Sequence, residues 1–349
     1  MMQATSEKII LNSGRNVTKY ILKNHKGMEV EVISIGATLT KITAPDKDGN
    51  YENVILGWQD LNVYEQNPGN FGAIIGRIAG RVFKGTVTIA DKEYHLPVNN
   101  FRSTLHGGNK GFHVRDWQGE MNIKEDSVSL VMYYLSKDGE EGFPGNLKVK
   151  VTYTLKDDNS LTLDYEAETD QETIVNLTNH AYFNLSGEAK RDILGHELCI
   201  KSDEIYDLDE ELIPTGKLIK LDQEPIFDFR EPKCIGQDIN KENRHLKNGS
   251  GYDHLWKLNT NENAINLYDS ISKRNMFITT SEPGVVVYTM NHADNPMLLS
   301  NGKLQEIHYA VCLETQKPAI GYNEQGRQAV ILKPGEIYTQ HTMFKFTVK

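Results

Sequence analysis

Cysteine is scarce in this chain, and the three cysteines stand far apart. Cys199, Cys234 and Cys312 are odd in number and include no CxxC pair. They do not form a disulfide framework, which favours a reducing compartment. The first eight residues also lack the apolar stretch of a signal peptide. We therefore expect a cytoplasmic protein.

Basic residues are outnumbered, and long apolar runs are missing. The 349 residues include 38 Lys and Arg against 48 Asp and Glu, which gives a formal net charge of −10 at pH 7. A protein that follows nucleic-acid phosphates needs a basic patch, and this balance argues against one. No segment approaches the ~20 apolar residues of a membrane span. We expect neither nucleic acid nor a membrane as a partner.

Several motifs of nucleotide and hydrolase chemistry are also missing. The chain has no Gly-x-x-x-x-Gly-Lys-Ser/Thr loop, no Gly-x-Gly-x-x-Gly turn and no Gly-x-Ser-x-Gly elbow. His196 and Glu197 begin like a metalloprotease motif, but Ile200 stands where its second histidine belongs. These absences leave chemistry performed by acids, bases and hydrogen bonds.

Alternation of apolar and polar residues is the dominant pattern in the chain. Residues 149–155 and 161–165 alternate on either side of a polar turn, which predicts a hairpin. Residues 86–89 and 342–348 show the same period, and residues 284–288 form a short apolar run typical of a buried strand.

Helical signals are limited to single turns at residues 60–64 and 202–206. The chain shows no repeat, linker or change in composition that would divide it. We therefore predict one all-β domain spanning residues 1–349, a large antiparallel β-sandwich with few short helices.

Two polar clusters lie in the first third of the chain. Arg77 and Arg81 stand four residues apart in a Gly-rich stretch that, by itself, also fits a solvated strand edge. The planar guanidinium suits both carboxylates and neutral polyols. His106 precedes Gly107 and Gly108, which allow a ligand to approach the backbone closely.

A third cluster spans residues 176–184. In a strand, Asn176, Thr178 and His180 would share one face, which is either wet surface or the floor of a polar pocket. The adjacent Tyr182 and Phe183 would offer aromatic rings to the apolar face of a sugar.

The fourth cluster contains Glu314 within an apolar strand pattern at residues 310–316. A buried acid is costly unless it is paired or has a task, and burial raises its pKa toward that of a useful general base. Asp253, by contrast, fits an ordinary turn when considered alone.

Together these clusters resemble the aldose 1-epimerase family, with motifs in matching order along nearly the whole chain. The most specific motifs are Leu105 to Gly108, Asn179 with His180, and Leu313 to Gln316. The resemblance implies a large β-sandwich with a sugar cleft. It also implies interconversion of the α and β anomers of hexoses such as glucose and galactose, without metal or other cofactor.

The resemblance also implies roles for individual residues. Glu314 matches the general base that removes the anomeric proton, and His180 matches the acid that protonates the ring oxygen. His106 matches a second catalytic histidine, which holds the sugar. Arg81 and Asp253 match residues that bind the sugar hydroxyls.

Further substrate-binding positions are less regular. Asn179 belongs to the Asn-His motif, whereas Gly80 stands where the family often has Asn, and Glu282 stands where Gln can occur. Both departures are expected at the rim of the site, where they affect sugar preference more than the reaction.

Alternatives to the isomerase interpretation remain open. A non-catalytic carbohydrate-binding sandwich would use the same polar and aromatic residues without an acid–base pair. A glycoside hydrolase needs two carboxylates ~5–9.5 Å apart, a pair that Glu314 and Asp253 could form. A metal site of His106, His180 and Glu314 is a further alternative. The sequence assigns neither the preferred aldose nor an oligomeric state.

Overall fold

The computed structural model describes residues 1–349, and most of its regular structure is strand. The first fourteen strands are β1 (Gln3–Ile10), β2 (Asn16–Lys23), β3 (Glu29–Ile33), β4 (Thr38–Pro45), β5 (Tyr51–Asn53), β6 (Ile74–Ile75), β7 (Arg81–Phe83), β8 (Thr86–Ile89), β9 (Lys92–His95), β10 (Ser103–Leu105), β11 (Gln118–Ile123), β12 (Ser127–Ser136), β13 (Leu147–Lys156) and β14 (Ser160–Thr169). The other fourteen are β15 (Thr173–Ile174), β16 (Thr178–Asn179), β17 (Tyr182–Phe183), β18 (Glu197–Ile200), β19 (Ser202–Leu208), β20 (Pro214–Lys220), β21 (Lys233–Cys234), β22 (Asp253–Leu258), β23 (Ile265–Tyr268), β24 (Arg274–Thr280), β25 (Gly284–Tyr288), β26 (Val311–Gln316), β27 (Ile331–Leu332) and β28 (Tyr338–Val348).

Helices are few and short. The two α-helices are α1 (Arg244–Gly249) and α2 (Arg327–Val330), and neither is long and apolar enough to cross a membrane. Single turns of 3₁₀-helix occur at Leu61–Glu65, Pro68–Asn70, Phe112–Val114, Glu140–Gly142, Leu221–Gln223, Pro225–Phe227, Ile235–Gln237 and Tyr322–Glu324.

Three antiparallel sheets organise the strands. The largest has nine strands in the order β11-β12-β13-β14-β28-β24-β23-β18-β21. A six-stranded sheet has the order β17-β26-β25-β22-β19-β20, and a five-stranded sheet runs from β1 to β5 in sequence order. Four two-stranded pairs complete the set. The predicted all-β fold with few short helices is confirmed.

The predicted hairpin is present as β13 and β14. Leu155 pairs with Leu161 across the turn, and Val151 pairs with Tyr165 further along the ladder. Their alternating side chains enter the main core from the nine-stranded sheet. Since one face of each strand is buried, the period-two pattern that predicted these strands also fixes their register.

One of the two predicted helical turns is correct. Asp60 caps the 3₁₀ turn at Leu61–Glu65 by accepting a hydrogen bond from the N–H of Asn62. The prediction at residues 202–206 is wrong, because this segment begins β19. Ile205 is fully buried and pairs with Ile219 on one edge and Trp256 on the other. Tertiary pairing therefore overrides a weak local helical signal.

The main core draws on both large sheets. Leu163 and Phe344 enter it from the nine-stranded sheet, and Val287 and Leu313 enter it from the six-stranded sheet. The six-stranded sheet thus packs one face against the core. Its other face, at the central strands β22, β25 and β26, forms the floor of a cavity.

Candidate active site

Strand β26 carries the acidic residue that the sequence predicts to be functional. All six of its residues are buried, and Glu314 is only 3% exposed. The strand pairs with β25 on one edge and with β17 on the other. Glu314 and Gln316 line a cavity of about 460 Å³, while Leu313 packs in the core. The alternation of the strand therefore places a carboxyl group on the cavity floor.

His180 lies directly against this carboxyl group. Its Nε2 atom is 3.5 Å from Oε1 of Glu314. The imidazole stacks on the ring of Tyr182, with 5.0 Å between ring centroids. The backbone on either side is fixed, since the His180 N–H donates to the carbonyl of Ala73 and its carbonyl accepts from Gly72. Imidazole and carboxyl therefore face a single cavity within reach of one bound molecule.

His106 brings a second imidazole to the same cavity. Its backbone has φ of +52°, and the ring lies edge-on to His180 with 5.4 Å between centroids. Nδ1 accepts a hydrogen bond of 3.3 Å from the backbone N–H of Gly80. The following Gly107 is required, because a Cβ there would lie 1.9 Å from the carbonyl oxygen of Gly76. The glycines beside His106 thus serve the close packing of this loop.

Burial shifts the pKa values of the central pair in opposite directions. It raises the pKa of Glu314 to about 8, with the carboxylate of Asp253 adding to the shift. It lowers the pKa of His180 to about 4. The pKa of His106 is also held well below its usual range, mainly by burial. Between pH 4 and pH 8, Glu314 and His180 together therefore hold one proton.

Arg81 and Asp253 stand on the wall of the cavity. Arg81 Nε donates to Oδ1 of Asn100 at 3.1 Å, and Nη2 lies 3.9 Å from Oδ2 of Asp253. Burial raises the pKa of Asp253, and the guanidinium opposes that shift. The structure therefore brings both residues together with Glu314 in the lining of one cavity.

Arg77 has a different environment from Arg81, although both belong to one motif. Its guanidinium is 1% exposed and does not line the cavity. Its nitrogens donate to the hydroxyl of Ser136 and to the carbonyl oxygens of Ser136, Lys137, Pro144 and Gly145. The buried arginine thus satisfies a set of backbone acceptors and serves the fold.

Gly80 lines the cavity, whereas Asn179 does not. A Cβ on Gly80 would lie 3.1 Å from Cβ of Ala319 and 3.2 Å from Nε2 of Gln316. The side-chain amide of Asn179 instead donates to the carbonyl of Gly72 at 2.7 Å. Asn179 therefore holds the backbone beside His180, and its amide is turned away from the cavity.

Glu282 is also absent from the cavity, so its expected position at the rim is wrong. It is 3% exposed and lies in the turn between β24 and β25. Burial raises its pKa to about 7, and the nearby Lys317 opposes the shift. The turn directs this carboxyl group into the interior, where Oε2 has no hydrogen-bond partner.

The polar stretch at residues 176–184 is not one continuous strand. Only Thr178–Asn179 and Tyr182–Phe183 are strands, and each is two residues long. The side chain of Asn176 hydrogen-bonds to the backbone N–H and carbonyl of Lys317, and the hydroxyl of Thr178 donates to the carbonyl of Thr315. Of the two aromatic residues, Tyr182 lines the cavity, whereas Phe183 packs on Phe344 in the core. His180 is the member of the predicted polar face that reaches the cavity.

The sequence motifs assign no role to several other residues that line the cavity. They include Asn70, Phe101, Tyr206, Leu212, Asn248, Tyr288, His292 and Gln316. Gln316 could have been predicted from the sequence, because a strand places residues two apart on one face and Glu314 is two residues away. Its Oε1 atom is buried without a partner. The others lie on separate segments that only the tertiary fold assembles.

The three residues considered for a metal do converge. Their nearest ligand atoms, on His106, His180 and Glu314, lie within 4.8 Å of one another. However, Nδ1 of His106 accepts from the backbone of Gly80, so the proton of the neutral ring sits on Nε2. A metal bound at Nε2 would need a lone pair on that nitrogen, and the proton occupies it. The hydrogen bonding therefore fits a donor to a polar ligand better than a metal ligand.

Comparisons with known proteins agree with this architecture. The family described as Aldose 1-epimerase matches residues 18–345. Galactose mutarotase of Rattus norvegicus is 38% identical over 340 residues, which cover 97% of this chain and 96% of the rat protein. Aldose 1-epimerase of Streptococcus thermophilus is 32% identical over 338 residues, covering 95% and 94% of the two chains.

A solved structure gives the same result for the fold. The crystal structure of galactose 1-epimerase from Lactobacillus acidophilus has a TM-score of 0.89 and 28% identity. The similarity covers 100% of this chain and 99% of that one. The full-length match therefore shows that this chain belongs to the aldose 1-epimerase family.

Proposed function

We propose that this aldose 1-epimerase uses Glu314 and His180 as the base and acid that open and close the ring of an aldohexose. The observation that carries the proposal is the 3.5 Å distance from His180 Nε2 to Glu314 Oε1 on the floor of one cavity. The hydroxyl oxygen O1 and the ring oxygen O5 of a pyranose share one carbon. An acid and a base that lie this close can therefore serve both oxygens.

Ring opening moves one proton through each group. The carboxylate of Glu314 takes the proton of the O1 hydroxyl while the imidazolium of His180 gives a proton to O5. The C1–O5 bond breaks, and C1 and O1 form the carbonyl of the open-chain aldose. Rotation about C1–C2 presents the other face of the carbonyl. Reversal of both transfers then closes the ring as the other anomer, and general acid–base groups of this kind each give ~10²–10⁴-fold.

The pKa values suit this exchange. The free pair is neutral imidazole and carboxylic acid, and moving the Glu314 proton to Nε2 of His180 gives the imidazolium and carboxylate from which ring opening starts. Ring opening returns the pair to the neutral arrangement. Both arrangements hold one proton in total, the number expected between pH 4 and pH 8. Burial stabilises the neutral arrangement, and so it favours transfer of the proton to the sugar.

His106 and the polar wall would hold the sugar for this chemistry. Because Nδ1 of His106 accepts from Gly80, its Nε2–H is available as a donor to a sugar oxygen. Arg81 supplies a donor, Asp253 an acceptor and Gln316 a free carbonyl oxygen. Hydroxyl groups both donate and accept, so this mixture suits a polyol.

Polarimetry tests the proposal. Freshly dissolved α-D-galactose and α-D-glucose are followed with and without the protein, galactose first because of the name of the rat relative. We expect acceleration above the spontaneous rate, and its loss by at least 100-fold in Glu314→Gln and His180→Asn. Glu282→Gln is the matched control, since it makes the same change at a buried glutamate outside the cavity.

The outcomes separate the alternative functions. A wild-type protein that binds the sugar without accelerating mutarotation would be a carbohydrate-binding module. Release of nitrophenol from nitrophenyl glycosides, lost in Glu314→Gln, would indicate a glycoside hydrolase. Activity that survives both Glu314→Gln and His180→Asn contradicts the assigned roles.

We also propose a cytoplasmic location. All three cysteines are free, and Cys234 is exposed as a thiol, which suits a reducing compartment. Immunodetection in fractionated source cells tests this, and recovery with a secreted fraction contradicts it.

The prediction of one domain over residues 1–349 is supported by the core that the two large sheets share. Limited proteolysis at exposed loops tests it. A stably folded fragment smaller than the chain would contradict a single domain.

A further inference from the structure

Phe101 is an apolar residue at the mouth of the cavity, and the proposed chemistry gives it no role. It is 72% exposed, although it lines the cavity. Its ring belongs to none of the hydrophobic clusters of the core. The fold therefore gains little from this side chain. An exposed apolar group at a concave site is typical of a ligand contact.

Phe101 also occupies a costly position in the backbone. The N–H of Ser103 donates to the carbonyl of Asn100 at 2.8 Å, which closes a turn with Phe101 and Arg102 at its centre. Phe101 has φ of +47°. Turns with a positive φ at the first central residue usually have glycine, asparagine or aspartate there. The chain thus keeps a bulky ring where the turn itself favours glycine, and local costs of this kind cluster at functional sites.

The residues on either side of Phe101 hold the turn in place. Oδ1 of Asn100 accepts a hydrogen bond from Nε of Arg81 at 3.1 Å. Nε of Arg102 lies 2.8 and 2.9 Å from the two carboxylate oxygens of Glu211, in the segment between β19 and β20. An exposed ion pair adds little stability. Its consequence here is geometric, because it joins the turn to a second segment of the mouth.

These contacts place the ring beside the polar wall of the cavity. Asn100 directly precedes Phe101 and binds Arg81, whose Nη2 atom is 3.9 Å from Oδ2 of Asp253. Asp253 and Glu314 line the same cavity as Phe101. A pyranose whose hydroxyl groups bind this wall also has C–H groups, and these pack on an aromatic ring as other apolar groups do. The ring is therefore suitably placed to cover such a sugar.

We propose that Phe101 is a substrate-binding residue whose ring packs on the C–H face of the pyranose at the mouth of the cavity. The inference rests on the sugar-binding role proposed for this cavity. The ring carries no hydrogen-bonding or titratable group, so it takes no part in the proton transfers at O1 and O5. Both anomers have the same hydrogens on C3 and C5. A contact made equally with the ground state and the transition state changes KM and leaves kcat unchanged.

Saturation-transfer nuclear magnetic resonance tests the contact directly. Phe101 is the one phenylalanine among the residues that line the cavity. Protein deuterated everywhere except at its phenylalanine rings therefore has a single protonated ring at the site. With galactose and glucose as probes, we expect irradiation of these rings to saturate C–H protons of the sugar. Phe101→Leu keeps an apolar side chain but removes the protonated ring, and we expect it to abolish the transfer.

Kinetics and stability separate a binding role from a structural one. We expect Phe101→Gly to raise KM about tenfold with kcat within about twofold of the wild type. Phe101→Tyr keeps the ring, and its KM should stay within about threefold. Because glycine suits the positive φ, Phe101→Gly should unfold at the wild-type temperature or above it. Tyr133→Ala is the control, since it removes an exposed aromatic ring outside the cavity.

Two results overturn the proposal. One is saturation of the sugar that is absent from the wild type or persists in Phe101→Leu. The other is a Phe101→Gly variant with wild-type KM, and a lowered unfolding temperature in that variant would assign the ring to the fold instead. The saturation measurement needs binding but no turnover. A protein that binds the sugar against Phe101 without accelerating mutarotation would therefore contradict the proposed function and support this inference.

Discussion

The imidazole of His180 lies between two residues of one strand, with Nε2 3.5 Å from Oε1 of Glu314 and Nδ1 3.5 Å from Sγ of Cys312. The carboxyl group faces the cavity, and the thiol lies buried behind the ring. Since both partners come from β26, their separation is fixed by the backbone repeat of a strand. The carboxyl group and the thiol that flank the ring therefore keep a separation that loop movement does not change.

The first prediction concerns the pH dependence of catalysis. With pKa values of about 8 for Glu314 and about 4 for His180, the pair holds one proton between these limits. We expect kcat/KM to be bell-shaped, falling about tenfold per pH unit below pH 4 and above pH 8. Polarimetry corrected for the buffer-catalysed rate measures the profile. A flat profile from pH 3 to pH 10 contradicts the assignment.

Stability provides a second prediction, because the Glu314 carboxyl group is costly to ionise when folded. Its folded pKa of about 8 exceeds the ordinary value of 4.5, so the unfolded chain loses this proton first as pH rises. Wild-type stability should therefore fall from pH 4.5 to pH 8, whereas Glu314→Gln lacks this loss. We expect the free energy of unfolding of Glu314→Gln, relative to that of the wild type, to rise by a few kcal/mol over this range, because a pKa difference of one corresponds to ~1.4 kcal/mol.

Urea unfolding of wild type and Glu314→Gln at pH 5 and pH 9 measures this difference. His180 is a common background, since its lowered pKa costs stability in both proteins as pH falls below 6.5. A variant whose relative stability does not change between the two pH values would show that the carboxyl group is not desolvated.

The two arginines of one motif should respond differently to the same substitution. Arg77→Lys leaves several carbonyl acceptors without donors, and we expect it to lower the free energy of unfolding by about 2–4 kcal/mol. Arg81→Lys changes a partly exposed side chain on the cavity wall, and we expect KM to rise about tenfold with little change in stability. Unfolding curves and initial rates for both variants check the contrast, which equal stability losses would contradict.

A methyl group at Gly80 is expected to weaken sugar binding. The Cβ of Gly80→Ala would lie 3.1 Å from Ala319 and 3.2 Å from Gln316 on a backbone with φ of +73°. We expect KM to rise about threefold to tenfold, with a stability loss of about 1 kcal/mol from the backbone strain. Gly49→Ala is the matched control, because its φ is +81° but no atom lies within 4 Å of its Cβ. Equal KM values in the two variants would mean that Gly80 does not limit the cavity.

The sequence carries much of the fold because strand alternation is a local signal. Period-two alternation predicts the hairpin of β13 and β14, since one buried face imposes it, and a short apolar run predicts β25. The segment at residues 202–206 was misread, because its neighbours in β20 and β22 decide its conformation and are not visible in a short window.

Only part of the site could be predicted from the sequence, for a similar reason. Glu314 stood out as an acid within an apolar strand, and its burial is the basis of that signal. The sequence did not separate Arg77 from Arg81, because both have the same guanidinium group. Only the tertiary packing buries Arg77 in the interior and leaves Arg81 on the cavity wall. Glu282 was misplaced since nothing in its local sequence shows that the turn after β24 points inward.

The cavity is built from two kinds of structure, with strands below and connecting segments around its mouth. Strand β26 fixes Glu314, and the hydrogen bonds of Thr178 and Gln340 to the backbone of Thr315 anchor that strand from the other side. The upper wall includes Phe101 and Leu212, which belong to no strand. Selection can thus remodel which sugar enters by altering the mouth alone, while the chemistry at the base is inherited unchanged.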